Sequence, residues 1–587
     1  METAEIIAKA REYIRFEKDP FFKKQVEDLL ARKDYAELSD RFYTELEFGT
    51  GGIRGVIGGG YNRLNSFIIQ KTTQGLANYI KKAVPAEKAS VAIAYDSRRF
   101  SPEFALDAAR VLCANGITTH LYTSLRSTPQ LSFTVRKLSA TAGIVITASH
   151  NPPEYNGYKV YWTDGGQIIA PHDTGIVKLV RAVAGDEILL VTKDEALEKG
   201  LLKMIDRDVD EAFIAMVKAC VLRPALVKAQ GNQLKVVYTP LHGTGAMPVE
   251  KALADAGIKV VFVKEQKEPD GDFPTVAVPN PEEASAMKLA LDLAKKEKAH
   301  LVLATDPDAD RLGIAVPAAG GYLLLTGNQL GVLLLDYILS ARQELGTLPV
   351  RGAFVKSIVT TELGRLIAED HGIECHDILT GFKFIAEKMR QFETQTNGPS
   401  YLFGTEESYG YLVNTSVRDK DAVSAAVMTA EMALYHVSQG RSLLDRLNQL
   451  YEKYGYFEET QVSRYFKGES GLAVMNGLME RLRMAPPAKL GGLAVATVKD
   501  YLDGTSLDMK DKTKKKAIAL PSSNVLQFVC GDGSIITARP SGTEPKIKFY
   551  ASCRGEPGAP LDRGRAAVKA KIEAIRKEIT TLVDGGT

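Results

Sequence analysis

The sequence predicts an α/β protein that ends in a separate α+β domain, and three observations carry that expectation. Short aliphatic or β-branched runs at 91–95, 143–148, 235–238, 259–263 and 301–304 alternate with helical stretches at 102–115, 248–256 and 281–295. Such alternation is the pattern of βαβ units in parallel or mixed sheets. From about residue 470 the plan changes: strands at 525–529, 535–538 and 546–551 are separated by Gly-Asp-Gly and Pro-Ser-Gly turns, as in an antiparallel meander. A charged amphipathic helix at 563–582 closes the chain. The length, 587 residues, exceeds what one core usually holds and implies about three to five domains.

The remaining segments follow the same logic. The first 45 residues are rich in helix formers and charges, as amphipathic helices wrapping a later core would be. Runs 144–149, 236–242 and 301–306 share one plan, a strand leading into a polar loop with a reactive group, which hints at repeated α/β domains. The run 330–339 is apolar but short and contains Asp336, so it does not read as a membrane span. Lysine-rich 510–516 reads as a solvated loop. A net charge of +2 makes no case for a nucleic-acid or membrane partner. The five cysteines are scattered without Cys-x-x-Cys spacing, and Met1 to Glu5 show no signal-peptide pattern, so a reducing cytoplasm is the expected compartment.

Two segments carry the chemistry. In Thr147-Ala148-Ser149-His150-Asn151-Pro152-Pro153 an apolar strand runs into a loop that the prolines enforce. Ser149 is thereby held at a strand exit, where open α/β sheets place functional groups. A hydrolase nucleophile is the obvious rival, but Gly-x-Ser-x-Gly is absent, and His150, next in sequence, would need an unusual backbone to act as base. In Asp306-Pro307-Asp308-Ala309-Asp310-Arg311 three carboxylates alternate after a strand. They converge only if a hard cation such as Mg²⁺ or Ca²⁺ offsets their repulsion; otherwise they are a helix cap and solvated acids. An EF-hand is excluded, because Arg311 and Pro317 occupy the places of its glycine and last glutamate. Arg311 is suited to gripping an anion.

Three further loops are ambiguous by themselves. Arg539-Pro540-Ser541-Gly542-Thr543-Glu544-Pro545-Lys546 is either an anion nest or an ordinary β-turn. Gly404-Thr405-Glu406-Glu407-Ser408-Tyr409-Gly410 suits sugar hydroxyls but also a plain polar turn. The glycine-rich loop from Phe48 to Gly55 brings backbone near an anion with Arg54 as the charge, yet fits neither phosphate-binding fingerprint.

Taken together and in this order, the serine, aspartate, Gly-x-Glu-Glu-Ser and Arg-Pro-Ser-Gly-Thr loops, spread from Phe48 to about Tyr550, resemble the α-D-phosphohexomutases, most closely the longer bacterial phosphoglucomutases. The resemblance implies three related mixed-sheet α/β domains and a C-terminal α+β domain around a central cleft, here at 1–215 (phosphoserine), 216–328 (metal), 329–455 (sugar) and 470–587 (phosphate). It implies an isomerase of glucose metabolism, an intramolecular phosphotransferase that converts glucose 1-phosphate and glucose 6-phosphate, with glucose 1,6-bisphosphate as activator. Ser149 would be carried as phosphoserine, with Mg²⁺ held by its phosphate and by Asp306, Asp308 and Asp310. Lys159 would be a general acid/base or a plain phosphate contact, with Arg311 beside it in the catalytic set. Arg54, His150, Lys383, Glu406, Ser408, Lys420, Arg539, Ser541, Gly542 and Thr543 would bind sugar phosphates, Lys420 beside the Arg539 loop. Mannose-active members often carry histidine where Gly410 stands, which leans this chain towards glucose, and Ser408 argues against the pentose-active subgroup. Ala422 replaces a glycine that often follows the Lys-Asp pair. Phosphomannomutase or phosphopentomutase activity is the alternative within the family, and a non-catalytic sugar-phosphate-binding protein the alternative outside it.

Overall fold

The computed structural model describes residues 2–49, 51–466, 471–541 and 546–584. These form two compact units. The first comprises Met1–Leu325, Ile385–Gly398 and Tyr409–Ser438, and the second Thr326–Phe384, Pro399–Ser408 and Gln439–Thr587.

Two mixed sheets organise the first unit. One has strand order Gly52–Val56, Tyr155–Trp162, Ala142–Ile146, Ser90–Tyr95, Thr118–Tyr122, Leu202–Ile205. The other has the order Gly321–Leu325, Leu312–Ala318, Leu301–Thr305, Lys235–Thr239, Lys259–Phe262. The two sheets switch direction at equivalent places. Ala142–Ile146 pairs parallel with Ser90–Tyr95 and antiparallel with Tyr155–Trp162. Leu301–Thr305 pairs parallel with Lys235–Thr239 and antiparallel with Leu312–Ala318. Both switch strands are buried along their whole length, which explains their uninterrupted aliphatic sequences. The serine loop and the aspartate loop leave these two strands, so the shared plan of 144–149 and 301–306 is a shared topological position.

The N-terminal helices are Thr3–Phe16, Pro20–Arg32 and Tyr35–Phe42. Asp19 caps the second through Phe21 N with Pro20 at its start, and Asp34 caps the third through Glu37 N. Tyr13, Phe22, Val26, Leu38 and Phe42 are buried in the same core as Ile93, Phe104 and Ile144. Each such side chain contributes about 1.5–3 kcal/mol through burial, so these helices are part of the first domain's core.

In the second unit, Gly352–Ser357 lies between Glu374–Ile378 and Ser400–Glu406, all parallel. The apolar run at 330–339 lies within the buried helix Gly327–Glu344, which opens on a Thr326/Gln329 capping box. Among the described residues no helix is long and apolar enough to cross a membrane. The last sheet is antiparallel, with order Phe457–Tyr465, Lys546–Arg554, Ile535–Pro540, Leu526–Cys530, Leu493–Asp500, Thr505–Asp508, Lys514–Lys516. It takes in Phe457–Tyr465, upstream of the change in pattern near residue 470. The lysine-rich stretch differs from the expected loop: Lys514–Lys516 is an exposed edge strand paired with Thr505–Asp508. Its backbone satisfies the neighbouring strand while its exposed lysine side chains, Lys514 among them in an ion pair with Asp503 at 2.7 Å, discourage further edge pairing. Gly471–Met484 and Leu561–Asp584 are helices of the same domain.

Candidate active site

The serine loop is held in an unusual backbone. Ser149 has φ of +53°, a left-handed conformation that costs an L-residue about 1–2 kcal/mol. Its N–H donates to Thr147 Oγ1 at 2.8 Å. Arg98, whose side chain is wholly buried, donates to the carbonyls of Ser149 (2.5 Å), Pro152 (2.8 Å) and Tyr155 (2.9 Å), and also to that of Asn151. Asp96 lies behind it at 3.5 Å from Nε and accepts from Arg98 N and Ser101 Oγ. Five guanidinium donors in a rigid plane suit this gathering of carbonyls. Arg98 was absent from the expected site. The available signal was Asp96-x-Arg98 at the exit of Ser90–Tyr95, the strand beside the serine strand.

The left-handed turn also brings His150 against Ser149. Its Nδ1 lies 3.1 Å from Ser149 Oγ, so the unusual backbone needed for contact between neighbours is present. Burial, with Arg311 and Arg54 nearby, pushes His150 down to about 2, so the imidazole is neutral. Ser149 Oγ donates to Asp306 Oδ2 at 2.6 Å. The neutral imidazole therefore faces Oγ through Nδ1, while the Oγ–Asp306 contact ties the serine to the acid cluster.

The aspartate loop converges as its spacing suggested. Ala309 adopts φ of +51°, and Asp306 Oδ1 accepts from the N–H groups of Asp310 (3.1 Å) and Arg311 (3.0 Å). Thr244 holds Pro307 O from N and Oγ1 at 2.8 and 2.9 Å. Close approach requires glycine here: a Cβ on Gly243 would lie 2.3 Å from Pro307 Cα. Asp306, Asp308 and Asp310 are all buried, with ligand atoms within 4.8 Å of one another. Asp308 Oδ1 and Asp310 Oδ1 are buried without a hydrogen-bond partner. Such oxygens are costly unless paired, and this hard-oxygen set fits a divalent cation.

Basic groups surround the cluster. Lys159 Nζ lies 2.8 Å from Asp308 Oδ2 and 3.4 Å from Asp310 Oδ2. Burial opposes its charge, but Asp308 and Asp310 outweigh burial and hold its pKa above the ordinary lysine value. Burial likewise opposes ionisation of Asp308, yet the Lys159 ammonium and hydrogen bonds from Lys159 and Thr128 hold it well below the carboxylate range. Burial and the Asp308 and Asp310 charges drive Asp306 the other way, well up. Lys420 lies 3.1 Å from Asp310 Oδ2, so this lysine, expected beside the Arg539 loop, contacts the acidic cluster. Arg54 Nη1 donates to Asn151 Oδ1 at 3.1 Å. Arg311 forms an ion pair with Glu282, a partner that sequence spacing did not reveal.

The second unit holds the other expected groups. Glu406 ends the strand Ser400–Glu406, and its Oε1 accepts from Gly381 N at 2.6 Å, two residues before Lys383. Ser408 follows in the same loop. Arg539 lies in Ile535–Pro540 opposite Lys548, and Ser541 N donates to Lys546 O at 2.7 Å. Gly542 and Thr543 lie outside the described residues. Chemically, the first unit presents a buried hydroxyl, an acid cluster that could hold a cation, and flanking basic groups, a set suited to handling a phosphoryl group.

Comparison with known proteins agrees with this chemistry. Residues 45–185, 211–320 and 326–454 match the family models described as phosphoglucomutase/phosphomannomutase alpha/beta/alpha domains I, II and III. The phosphoglucomutase of Staphylococcus haemolyticus (strain JCSC1435) is 37% identical over 514 residues, covering 87% of this chain and 91% of that relative. The phosphoglucomutase of Staphylococcus aureus (strain USA300) is 37% identical over 534 residues, 90% of this chain and 94% of its own. Two solved structures are alike in fold. Parafusin, a phosphoglucomutase of Paramecium, in its open form gives a TM-score of 0.69 at 20% identity over 92% of this chain and 96% of that one. A phosphoglucomutase/phosphomannomutase family protein from Burkholderia thailandensis gives 0.63 at 18% identity over 90% and 97%.

Proposed function

The chain belongs to the phosphoglucomutase/phosphomannomutase family of α-D-phosphohexomutases, and from that premise we propose that it interconverts α-D-glucose 1-phosphate and glucose 6-phosphate. The observation that carries the proposal is Ser149 Oγ, 2.6 Å from Asp306 in a buried cluster of three carboxylates.

Under this reading the working enzyme carries phosphate on Ser149. A sugar hydroxyl attacks phosphorus, the bond from phosphorus to Ser149 Oγ breaks, and glucose 1,6-bisphosphate forms. The bisphosphate turns over, Ser149 Oγ takes back the other phosphate, and the isomeric monophosphate leaves. Bisphosphate added from outside primes the cycle and acts as activator. Asp306, Asp308, Asp310 and the phosphoserine oxygens would hold Mg²⁺, which when bound supplies positive charge to the phosphoryl oxygens. Lys159, kept charged by Asp308 and Asp310, serves the transferring phosphoryl group as a charge partner, which favours the phosphate-contact role over that of a base. Arg98 keeps the serine loop in its left-handed turn. Glu406, Ser408 and Lys383 hold sugar hydroxyls, and Arg539 with Ser541 grips the phosphate that is not being transferred. Gly410 in place of histidine supports glucose over mannose.

Peptide mapping and intact-mass measurement test the proposal. Incubation with glucose 1,6-bisphosphate should leave phosphate on the Ser149 peptide, and an unmodified peptide would overturn the mechanism. Side-by-side kinetics on the 1-phosphates of glucose, mannose and ribose should favour glucose; equal or higher mannose rates would reassign the specificity. Arg539→Ala should raise KM for glucose 1-phosphate about tenfold or more with a smaller change in kcat, as loss of binding to a part of the substrate that does not react predicts. Unchanged KM would remove Arg539 from the phosphate grip. Chelation should abolish turnover and Mg²⁺ should restore it; activity that survives exhaustive chelation would remove the metal from the reaction.

A further inference from the structure

Glu407, the residue between the two proposed sugar contacts, is bound to a turn that no functional motif includes. Gly352–Ser357 ends in the turn 357–360. Ser357 Oγ donates to Glu407 Oε2 at 3.0 Å, Thr360 Oγ1 lies 3.3 Å from the same oxygen, and the two hydroxyls are 2.8 Å apart. Ser357 and Thr360 are buried, so both hydroxyls depend on this carboxylate for a strong acceptor.

The turn is itself fixed from beneath. Lys356, wholly buried, donates to Thr360 O at 3.2 Å and pairs with Glu362 at 2.6 Å and Asp377 at 3.2 Å. Arg365 bridges the same two acids at 2.7 and 2.6 Å. Asp377 and Glu362 override the burial penalty and raise Lys356 above the ordinary lysine value, so the anchor stays charged. From the other side, Gln527 Nε2 donates to Ile358 O at 2.9 Å and lies 3.2 Å from Thr537 Oγ1. Thr537 stands two residues before Arg539 on Ile535–Pro540. Tyr501 OH fixes the Gln527 amide through Oε1 at 3.1 Å.

We propose that Glu407 is a positioning residue that pins the sugar loop to the turn 357–360 and, through that turn and Gln527, sets Glu406 and Ser408 in register with the strand carrying Arg539. The adjacent acids divide the work: Glu406 faces the 381 loop, while Glu407 faces the turn. This inference rests on the proposed sugar-phosphate reading for its kinetic consequence but not for its structural one.

The test compares Glu407→Ala, Glu407→Gln and Ser357→Ala in the full-length protein. A glutamine oxygen still accepts from both hydroxyls, so Glu407→Gln should stay within about threefold of wild type. Glu407→Ala should lower kcat/KM for glucose 1-phosphate about tenfold or more, mostly through KM, and narrow the preference for glucose over mannose 1-phosphate, while the protein stays folded at the assay temperature with a melting temperature lowered by several °C. Ser357→Ala should act in the same direction and be non-additive with Glu407→Ala. Hydrogen exchange gives a readout independent of turnover: amides of 405–410 should exchange faster in Glu407→Ala and not in Glu407→Gln. Wild-type exchange in Glu407→Ala, or equal damage in the alanine and glutamine variants, would overturn the proposal. An inactive wild type with the predicted exchange pattern would instead refute the proposed function and leave the positioning role standing.

Discussion

Ser149→Ala is expected to abolish glucose phosphate interconversion, by about four decades or more in kcat, because no other group in the cluster replaces a covalent phosphoryl carrier. Ser149 Oγ alone joins the serine loop to Asp306 across 157 residues. Its neighbour does not take over: burial, with Arg311 and Arg54 nearby, holds the His150 imidazole neutral, and its Nδ1 lies against Oγ itself. The alanine variant should fold normally. It loses the hydrogen bond to the Asp306 carboxylate, worth about 1.5–3 kcal/mol, and the contact with His150 Nδ1, while Thr147, Arg98 and the strand pairing still hold the loop. The measurement is paired, steady-state turnover with added glucose 1,6-bisphosphate and mass mapping of the loop peptide. Turnover within tenfold of wild type would refute the role of Ser149.

Arg98→Ala is the second large effect, and it appears in stability before activity. Arg98 is a buried cation facing Asp96 at 3.5 Å, and it gathers the carbonyls of Ser149, Asn151 and Pro152 in the serine loop and that of Tyr155 just after it. Removing one partner of a buried ion pair costs about 3–5 kcal/mol, because the other is left uncompensated. Here the cost includes carbonyls that lose their guanidinium donors, those of Ser149 and Asn151 among them, and the loss of what holds Ser149 left-handed. The urea midpoint of the first unit should fall sharply, and Ser149 phosphorylation by glucose 1,6-bisphosphate should fall with it. Arg98→Lys should rescue little, since an ammonium cannot match a planar fork that reaches several carbonyls at once. A wild-type midpoint together with normal phosphorylation of the alanine variant would show that the loop is held by other means.

Much of the site was legible in local sequence because its determinants are local. A serine followed by Asn-Pro-Pro must leave its strand, and three aspartates at alternate positions after a buried strand must share a loop. The Asp19 cap and Pro20 at the start of Pro20–Arg32 are equally local, although the reading of the first 45 residues placed no helix start there. The lysine run was misread because solvation and edge pairing have the same composition: Lys514–Lys516 satisfies both. Arg98 went unread because a buried arginine differs from a surface one only in what surrounds it.

By itself the sequence determined the inventory: α/β units with a meandering last domain, a serine at one switch strand, an acid triplet at the other, and no membrane helix among the described residues. Only the tertiary structure decided the pairings. It brought Thr128 to Asp308 across 180 residues, placed Lys159 between two acids, turned Lys420 to Asp310, gave Arg311 to Glu282 and tied Glu407 to Ser357. The physical reason is range. Periodicity and turn chemistry act over a few residues and are written locally. Burial, ion pairing and the state of a buried carboxylate depend on groups that only folding brings within a few ångströms.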